Sequence, residues 1–450
     1  MQLTSILKKI KKDPDKRRLL ENFISLSILQ GANYILPLIT LPYLVRVLGP
    51  EKFGLIAFAQ AFIQYFNILT DYGFRLSATK EISINRDNEK KLSEIFSSVI
   101  IIKLGLLILS ITIMTIIVFS VQKFKKDWLV YYLTFGIVIG QTLFPIWFFQ
   151  GIEKMRYITI LDLISKLIFT VLVFIFVRKT ADYIYVPLLN SIGSCVSAFL
   201  SLWIVFKNFN VSFKIPKLTV IKHQLKEGWY IFISTVAISL YTISNTFILG
   251  LFTNNTIVGY YSAAEKLIKA AQGLLTPISQ TIYPHISKLV KESKKEALRF
   301  VRQITFLIGG ISFIISITIF IFADLIVKIF LGNQYIESVF VLRILSFLPF
   351  IVALSNIFGI QTMLTFNYKK AFSKILIIAS FINILLAFIL VPFYQHIGIS
   401  LAVLISEIFV TVSMFLYLHK KGIKILEVKI VRLYCNRFRI RREHNSRKNS

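Results

Sequence analysis

Four polar side chains, Gln60, Gln64, Asn67 and Asp71, recur at offsets of four, three and four in a stretch that is otherwise Ala, Phe, Ile, Leu and Tyr. That spacing puts all four on one face of an α-helix. The stretch ends in Asp71-Tyr72-Gly73-Phe74-Arg75, so a guanidinium closes the stripe. The pattern returns 205 positions later, where Gly259 takes the place of Gly54. Glu265, Lys269, Gln272 and Thr276 then stand where Gln60, Gln64, Asn67 and Asp71 stood, with Lys266 beside them. Gln30 and Asn33 add an i, i+3 pair, Asp162 and Lys166 an i, i+4 pair, and Arg343, Gln361 and Glu407 stand alone in apolar runs. Together they make a polar path through an apolar setting. Covalent chemistry finds no support: the P-loop pattern, the Gly-rich dinucleotide turn, metal-ligand spacing and the nucleophile elbow are all missing.

The setting is a membrane. Hydrophobic residues make up 56% of the 450, aromatic residues 14%, and the mean hydropathy is +0.71, far above what a soluble chain carries. About twelve runs of about 20 apolar residues are each long enough to cross a bilayer as a helix, the form that satisfies its own backbone in lipid. The expected fold is therefore all-α, a polytopic protein with the spans in two six-helix bundles. A net charge of +30 would raise the question of nucleic acid in a soluble protein. Here most of the 52 Lys and Arg fall in segments that are cytoplasmic if the N-terminus is, which is the positive-inside pattern. No nucleic-acid module accompanies the charge. Cys195 and Cys435 make no disulfide framework, and His223, His285, His396, His419 and His444 are scattered, so no metal set emerges.

In chain order, residues 1–22 form a basic cytoplasmic arm, and 23–206 carry the first six spans. Residues 207–227 form a lysine-bearing cytoplasmic linker, 228–418 the second six spans, and 419–450 a basic cytoplasmic tail. Both basic termini suit anionic lipid headgroups, and for the arm a role as topology determinant alone is the favoured reading. Pro37 and Pro42 invite a kink in the first span. The third span, about 95 to 119, is mostly Ile and Leu and is expected only to pack. Counted from Gly259 at about 1.5 Å per residue, Glu265 and Lys269 lie about 9 to 15 Å deep. Charges placed there should face a hydrated cavity or one another. For both Asp162–Lys166 and Glu265–Lys269, an intrahelical ion pair that merely steadies the bundle is the alternative.

Three stretches carry a family resemblance: the GPEKFG turn at 49–54, the DYGF tetrapeptide at 71–74 and PIWFFQGIEKM at 145–155. They resemble signatures of the Wzx-type O-antigen and polysaccharide repeat-unit flippases. These form the polysaccharide-transport branch of the multidrug/oligosaccharidyl-lipid/polysaccharide exporter superfamily. The first half matches residue by residue, the second by its spans and stripe. The resemblance implies a V-shaped, MATE-like transporter in the bacterial cytoplasmic membrane, without a cofactor. It would move an undecaprenyl-pyrophosphate-linked oligosaccharide from the cytoplasmic to the outer leaflet by alternating access. Polymerase machinery would be a partner, and a counter-moving H+ or Na+ would drive transport. Substrate contacts would come from Gln30, Asn33, Gln60, Gln64, Asn67, Asp71, Arg75, Lys166, Lys266, Lys269, Gln272 and Arg343, the lysines acting as point charges on the pyrophosphate. Ion coupling would fall to Glu265, Glu407 or Asp71. No spacing selects among them; Glu265 is favoured because it shares a helix face with Lys269.

Two rivals remain. A multidrug or cation antiporter of the same superfamily would favour carboxylates and aromatic rings in its site, whereas the span charges here lean to Lys and Arg. A polysaccharide polymerase or ligase would need a substantial external loop, and the external loops are short.

Overall fold

The structure, a computed structural model, describes residues 14–425. Residues 1–13 of the basic arm, the tail from 426 on and the Thr276 side chain lie outside the described residues. In the N-terminal half, α1 is Pro14–Asp71, α2 Phe74–Ile84, α3 Glu89–Ser120, α4 Trp128–Leu143, α5 Ile146–Gly151, α6 Met155–Phe176 and α7 Tyr185–Asn208. In the C-terminal half, α8 is Leu218–Thr242, α9 Ser244–Phe252, α10 Asn255–Gly273, α11 Thr276–Glu292 and α12 Lys294–Ile321. The half is completed by α13, Ser338–Leu345, α14, Leu348–Asn356, and α15, Lys369–Lys420.

Among the described residues, eight helical stretches are long and apolar enough to cross a membrane, two of them double: Ile28–Ile84 with 57 residues and Lys369–Lys420 with 52. At 1.5 Å per residue either far exceeds a hydrocarbon core of about 30 Å. Each folds back at one non-helical residue. Gly49 has φ 70° and ends the first arm of α1 in the left-handed region, and Pro50 opens the second arm with its φ already set. α15 turns at Gln395, φ 47°. The spans expected at about 228 to 252 and 257 to 285 are broken helices, interrupted at Ile243 and at Leu274–Leu275. Two folded pairs and two broken helices account for the expected crossings. The second stripe therefore ends at Gln272, because Thr276 lies beyond a break.

Two of the three signature stretches, those at 71–74 and 145–155, turn out to be one structure. Tyr72 and Gly73 both have positive φ, so the chain breaks between α1 and α2. A Cβ on Gly73 would lie 2.8 Å from Ile231, and one on Gly151 would lie 2.4 Å from Ile82 of α2. Gly73 thus requires glycine for turning as well as for space, and Gly151 for space. With Gly151 flush against it, α2 lies on α5, and Thr79 Oγ1 donates to the Trp147 carbonyl at 3.2 Å. Asn22 fastens the turn that follows: its Nδ2 donates to Glu153 O at 3.1 Å, and its Oδ1 accepts from Met155 N at 3.2 Å. Glu153 itself has φ 58°. Phe74, Ile82, Phe96, Trp147, Phe148 and Phe149 fill the core beneath.

The halves meet at both ends. On the side of the Gly49 turn, the two offset glycines sit on each other's helices. A Cβ on Gly54 would lie 1.8 Å from Asn255 O and 2.6 Å from Gly259 N, and one on Gly259 would lie 2.1 Å from Pro50 O. Phe58 and Phe62 stack on Phe247 beside this crossing. Lys123, between α3 and α4, donates to the carbonyls of Gly250 and Thr253 at the C-terminal end of α9. Burial holds its ammonium below the usual lysine range. On the opposite side, Glu81 of α2 accepts from His223 Nε2 at 3.0 Å and from Gln224 of α8. The connection between the halves is shorter than the lysine-bearing stretch suggested. Residues 209–217 are non-helical, and the chain from Leu218 is already α8. Ser212 N and Lys214 N donate to Ser93 Oγ and Ser97 Oγ, each at 3.0 Å, strapping this segment along α3.

Candidate functional site

Four cavities follow one another between these two contacts, and each shares lining residues with the next. The first, about 570 Å³, lies mainly in the N-terminal half and is lined by Gln64, Asn67, Asp71 and Arg75 from the end of the first stripe. Asn33 of α1 and Asp162 and Lys166 of α6 complete its charged wall, together with Lys103 of α3. The second, about 440 Å³, shares Asn33, Lys166 and Asn190 with the first and adds Gln60, Lys266 and Lys269. The third, about 210 Å³, shares Lys269 and adds Glu265, Gln272, Glu407, Asn245 and Asn383. The fourth, about 430 Å³, begins at Gln272 and is mostly apolar, with Asn356 and Gln361 among its polar members. The two helical stripes thus line adjoining cavities.

The charges are unevenly distributed. The first cavity sets Asp71 and Asp162 against Arg75, Lys103 and Lys166. In the second, Lys166, Lys266 and Lys269 line the wall and no carboxylate does, although Lys166 and Lys269 each pair with one next to it. Lys166 donates to Asp162 Oδ2 and to Asn33 Oδ1, so the intrahelical pair forms and a third group joins it. Lys269 Nζ lies 2.9 Å from Glu265 Oε1, and Tyr261 OH donates to the same oxygen at 3.4 Å. Lys266 makes no ion pair among the described residues and places its ammonium 4.8 Å over the Phe53 ring. Cations held this way in a membrane interior attract anions, because the surroundings screen them far less than water would.

Two of the residues picked from sequence lie elsewhere. Arg343 donates to Asp324 Oδ2 and lines none of these four cavities. Gln30, half-buried in the first arm of α1, lines none of them either. Lys103 corrects the reading of its span as mere packing: it is buried in an Ile- and Leu-rich helix and lines the first cavity with Asp71. Its signal was present, since a lone ionisable group in a span is a functional candidate by default. Trp147 and Gln150 of the PIWFFQ stretch also line this cavity, so the signature is part of the wall.

A family model described as polysaccharide biosynthesis protein matches residues 19–290. The chain is similar to a putative O-antigen transporter of Escherichia coli (strain K12), at 39% identity over 90% of this chain and 97% of that one. Among solved structures it resembles an inward-facing multidrug resistance MATE-family transporter of the MOP superfamily. That match has TM-score 0.69 and 15% identity over 90% of this chain and all of the other. It equally resembles the lipid II flippase MurJ, with TM-score 0.69 and 17% identity over 88% of this chain and 87% of that one.

Proposed function

The chain belongs to the polysaccharide biosynthesis protein family, and from that premise we propose that it is a flippase, carrying a lipid-linked oligosaccharide repeat unit across a membrane by alternating exposure of its cavities. The observation that carries the proposal is the second cavity, where Lys166, Lys266 and Lys269 converge without a lining carboxylate. Three ammonium groups suit a diphosphate ester, the link expected between a polyprenol and its glycan. An exporter of organic cations would find the wrong sign of charge there.

The finer assignments follow from the same reading. The carrier lipid is undecaprenyl pyrophosphate and the membrane is the bacterial cytoplasmic membrane. Both termini face the cytoplasm, with the Gly49 turn and the Gly54–Gly259 crossing on the outer side. Anionic lipid holds the basic termini, and polymerase machinery receives the product. Alternating access requires the halves to separate at the glycine crossing while they close at Glu81 and His223. To test the function, the transbilayer distribution of lipid-linked repeat units is measured in cells with and without this chain, complemented by Lys269→Ala. Loss should trap repeat units in the inner leaflet, and the variant should relieve this by a tenth or less of the wild-type rate. An unchanged distribution on loss rejects the function.

Coupling to a counter-ion falls to Glu265, ahead of Glu407 and Asp71, because Glu265 holds Lys269. A proton or Na+ arriving at Glu265 releases Lys269 toward the diphosphate, so ion and substrate compete for one pair. In Glu265→Gln, transport across an imposed pH gradient should lose its dependence on that gradient. If the dependence persists unchanged, Glu265 has no part in coupling.

A further inference from the structure

We infer that the two adjoining cavities divide the cargo, the 570 Å³ cavity of the N-terminal half receiving saccharide hydroxyls and the 440 Å³ cavity receiving the diphosphate. The assignment rests on the flippase reading above and names what each part of that site holds.

Six carboxamides line the larger cavity: Asn33, Gln64, Asn67, Gln141, Gln150 and Asn190. Their hydrogen-bonding capacity is largely unspent. Asn67 Nδ2 donates to Gln64 Oε1 at 3.0 Å and Asn33 Oδ1 accepts from Lys166. Gln141, Gln150 and Asn190 make no side-chain hydrogen bond among the described residues. Asn67 Oδ1 and Trp147 Nε1 are buried and take no partner. Amide groups left unspent around one cavity point to a ligand that completes them.

The chemistry of that ligand follows from the groups. A carboxamide offers acceptor and donor side by side, and so does a pair of neighbouring sugar hydroxyls, each of which both gives and takes a hydrogen bond. A phosphate only accepts, which leaves every amide oxygen idle. The charges agree: in the larger cavity Asp71 and Asp162 largely offset Arg75, Lys103 and Lys166, whereas the smaller one is lined by three lysines and no carboxylate. Lys166 lines both and stands at the boundary. This is where the glycosyl-phosphate bond would lie.

The test uses the purified full chain in lipid nanodiscs and two probes. One is farnesyl diphosphate, and the other is lipid-linked repeat units extracted from cells lacking this chain. Gln141 and Gln150 line the larger cavity but not the smaller, so the double variant Gln141→Leu/Gln150→Leu is compared with Lys269→Ala. The double variant should weaken binding of the extracted glycolipid roughly 10- to 100-fold, as loss of two or more hydrogen bonds to hydroxyls implies. Its binding of farnesyl diphosphate should stay within about two-fold, which also reports that it folds. Lys269→Ala should weaken both probes. Equal losses of both probes in the double variant, or no loss of either, overturn the division of the cargo while leaving the flippase reading intact. If the wild-type chain binds neither probe, the flippase reading fails and the division with it.

Discussion

Gly54→Ala is expected to reduce transport at least about 30-fold while the protein still inserts at its normal level. One added carbon would lie 1.8 Å from Asn255 O and 2.8 Å from the carbonyl carbon of Asn255, and main chain cannot swing aside as a side chain can. The two helices must separate. Overpacking of this kind costs about 2–3 kcal/mol, which acts only on the conformation in which the helices touch. A bias of that size shifts a two-state equilibrium by roughly 30- to 150-fold. Gly259→Ala, facing Pro50 O at 2.1 Å, should behave alike. Gly105→Ala is the control, since nothing lies within 4 Å of a Cβ there. The measurement is the rate at which repeat units reach the outer leaflet, normalised to membrane-inserted protein. Normal rates in Gly54→Ala would show that transport does not depend on this contact.

The second large effect is expected from Lys266→Glu. The ammonium lies over the Phe53 ring and shares its cavity with Lys166 and Lys269. On the proposed function, reversal removes one of the three cations offered to the diphosphate, and it sets a carboxylate against the electron-rich face of the ring. Loss of one charge-assisted contact alone is worth about 1.5–3 kcal/mol, and the added repulsion brings the expected fall in transport to about 100-fold or more. Lys266→Arg keeps the charge and the ring contact and should retain most of the activity. Equal rates in the two variants would mean that the charge at 266 does not act on the substrate.

How far the sequence spoke depended on whether a feature was local. Helical periodicity exposed Gln60, Gln64, Asn67 and Asp71 because each reports on its neighbour one turn away. The same holds for Asp162 with Lys166, whose pairing needs only their own helix. The 205-residue offset linked Gly54 to Gly259, yet nothing in the offset says that the two touch, since contact belongs to the packing of two halves. Arg343 looked free because its partner Asp324 lies 19 residues away on another element. Lys103 was passed over although a lone charge in an Ile and Leu run is itself a signal, because folding alone sets which groups it faces. Gln141 and Asn190 were passed over likewise, since an isolated amide in a span becomes meaningful only when folding sets it opposite others.

The strap along α3 has a mechanical consequence. Ser212 and Lys214 tie the connecting segment to the N-terminal half, and α8 begins only a few residues later and is itself held at His223 and Gln224 by Glu81. Almost no slack is left. The two halves are therefore joined at one rim by a short flexure at Ile215, Pro216 and Lys217, and at the other rim they only touch, through bare backbone where Gly54 crosses Gly259. A body held that way has few degrees of freedom: it can tilt about the stiff joint, but it cannot slide or twist far. The shortness of the connection thus selects rocking as the motion, much as a hinge pin selects the swing of a door.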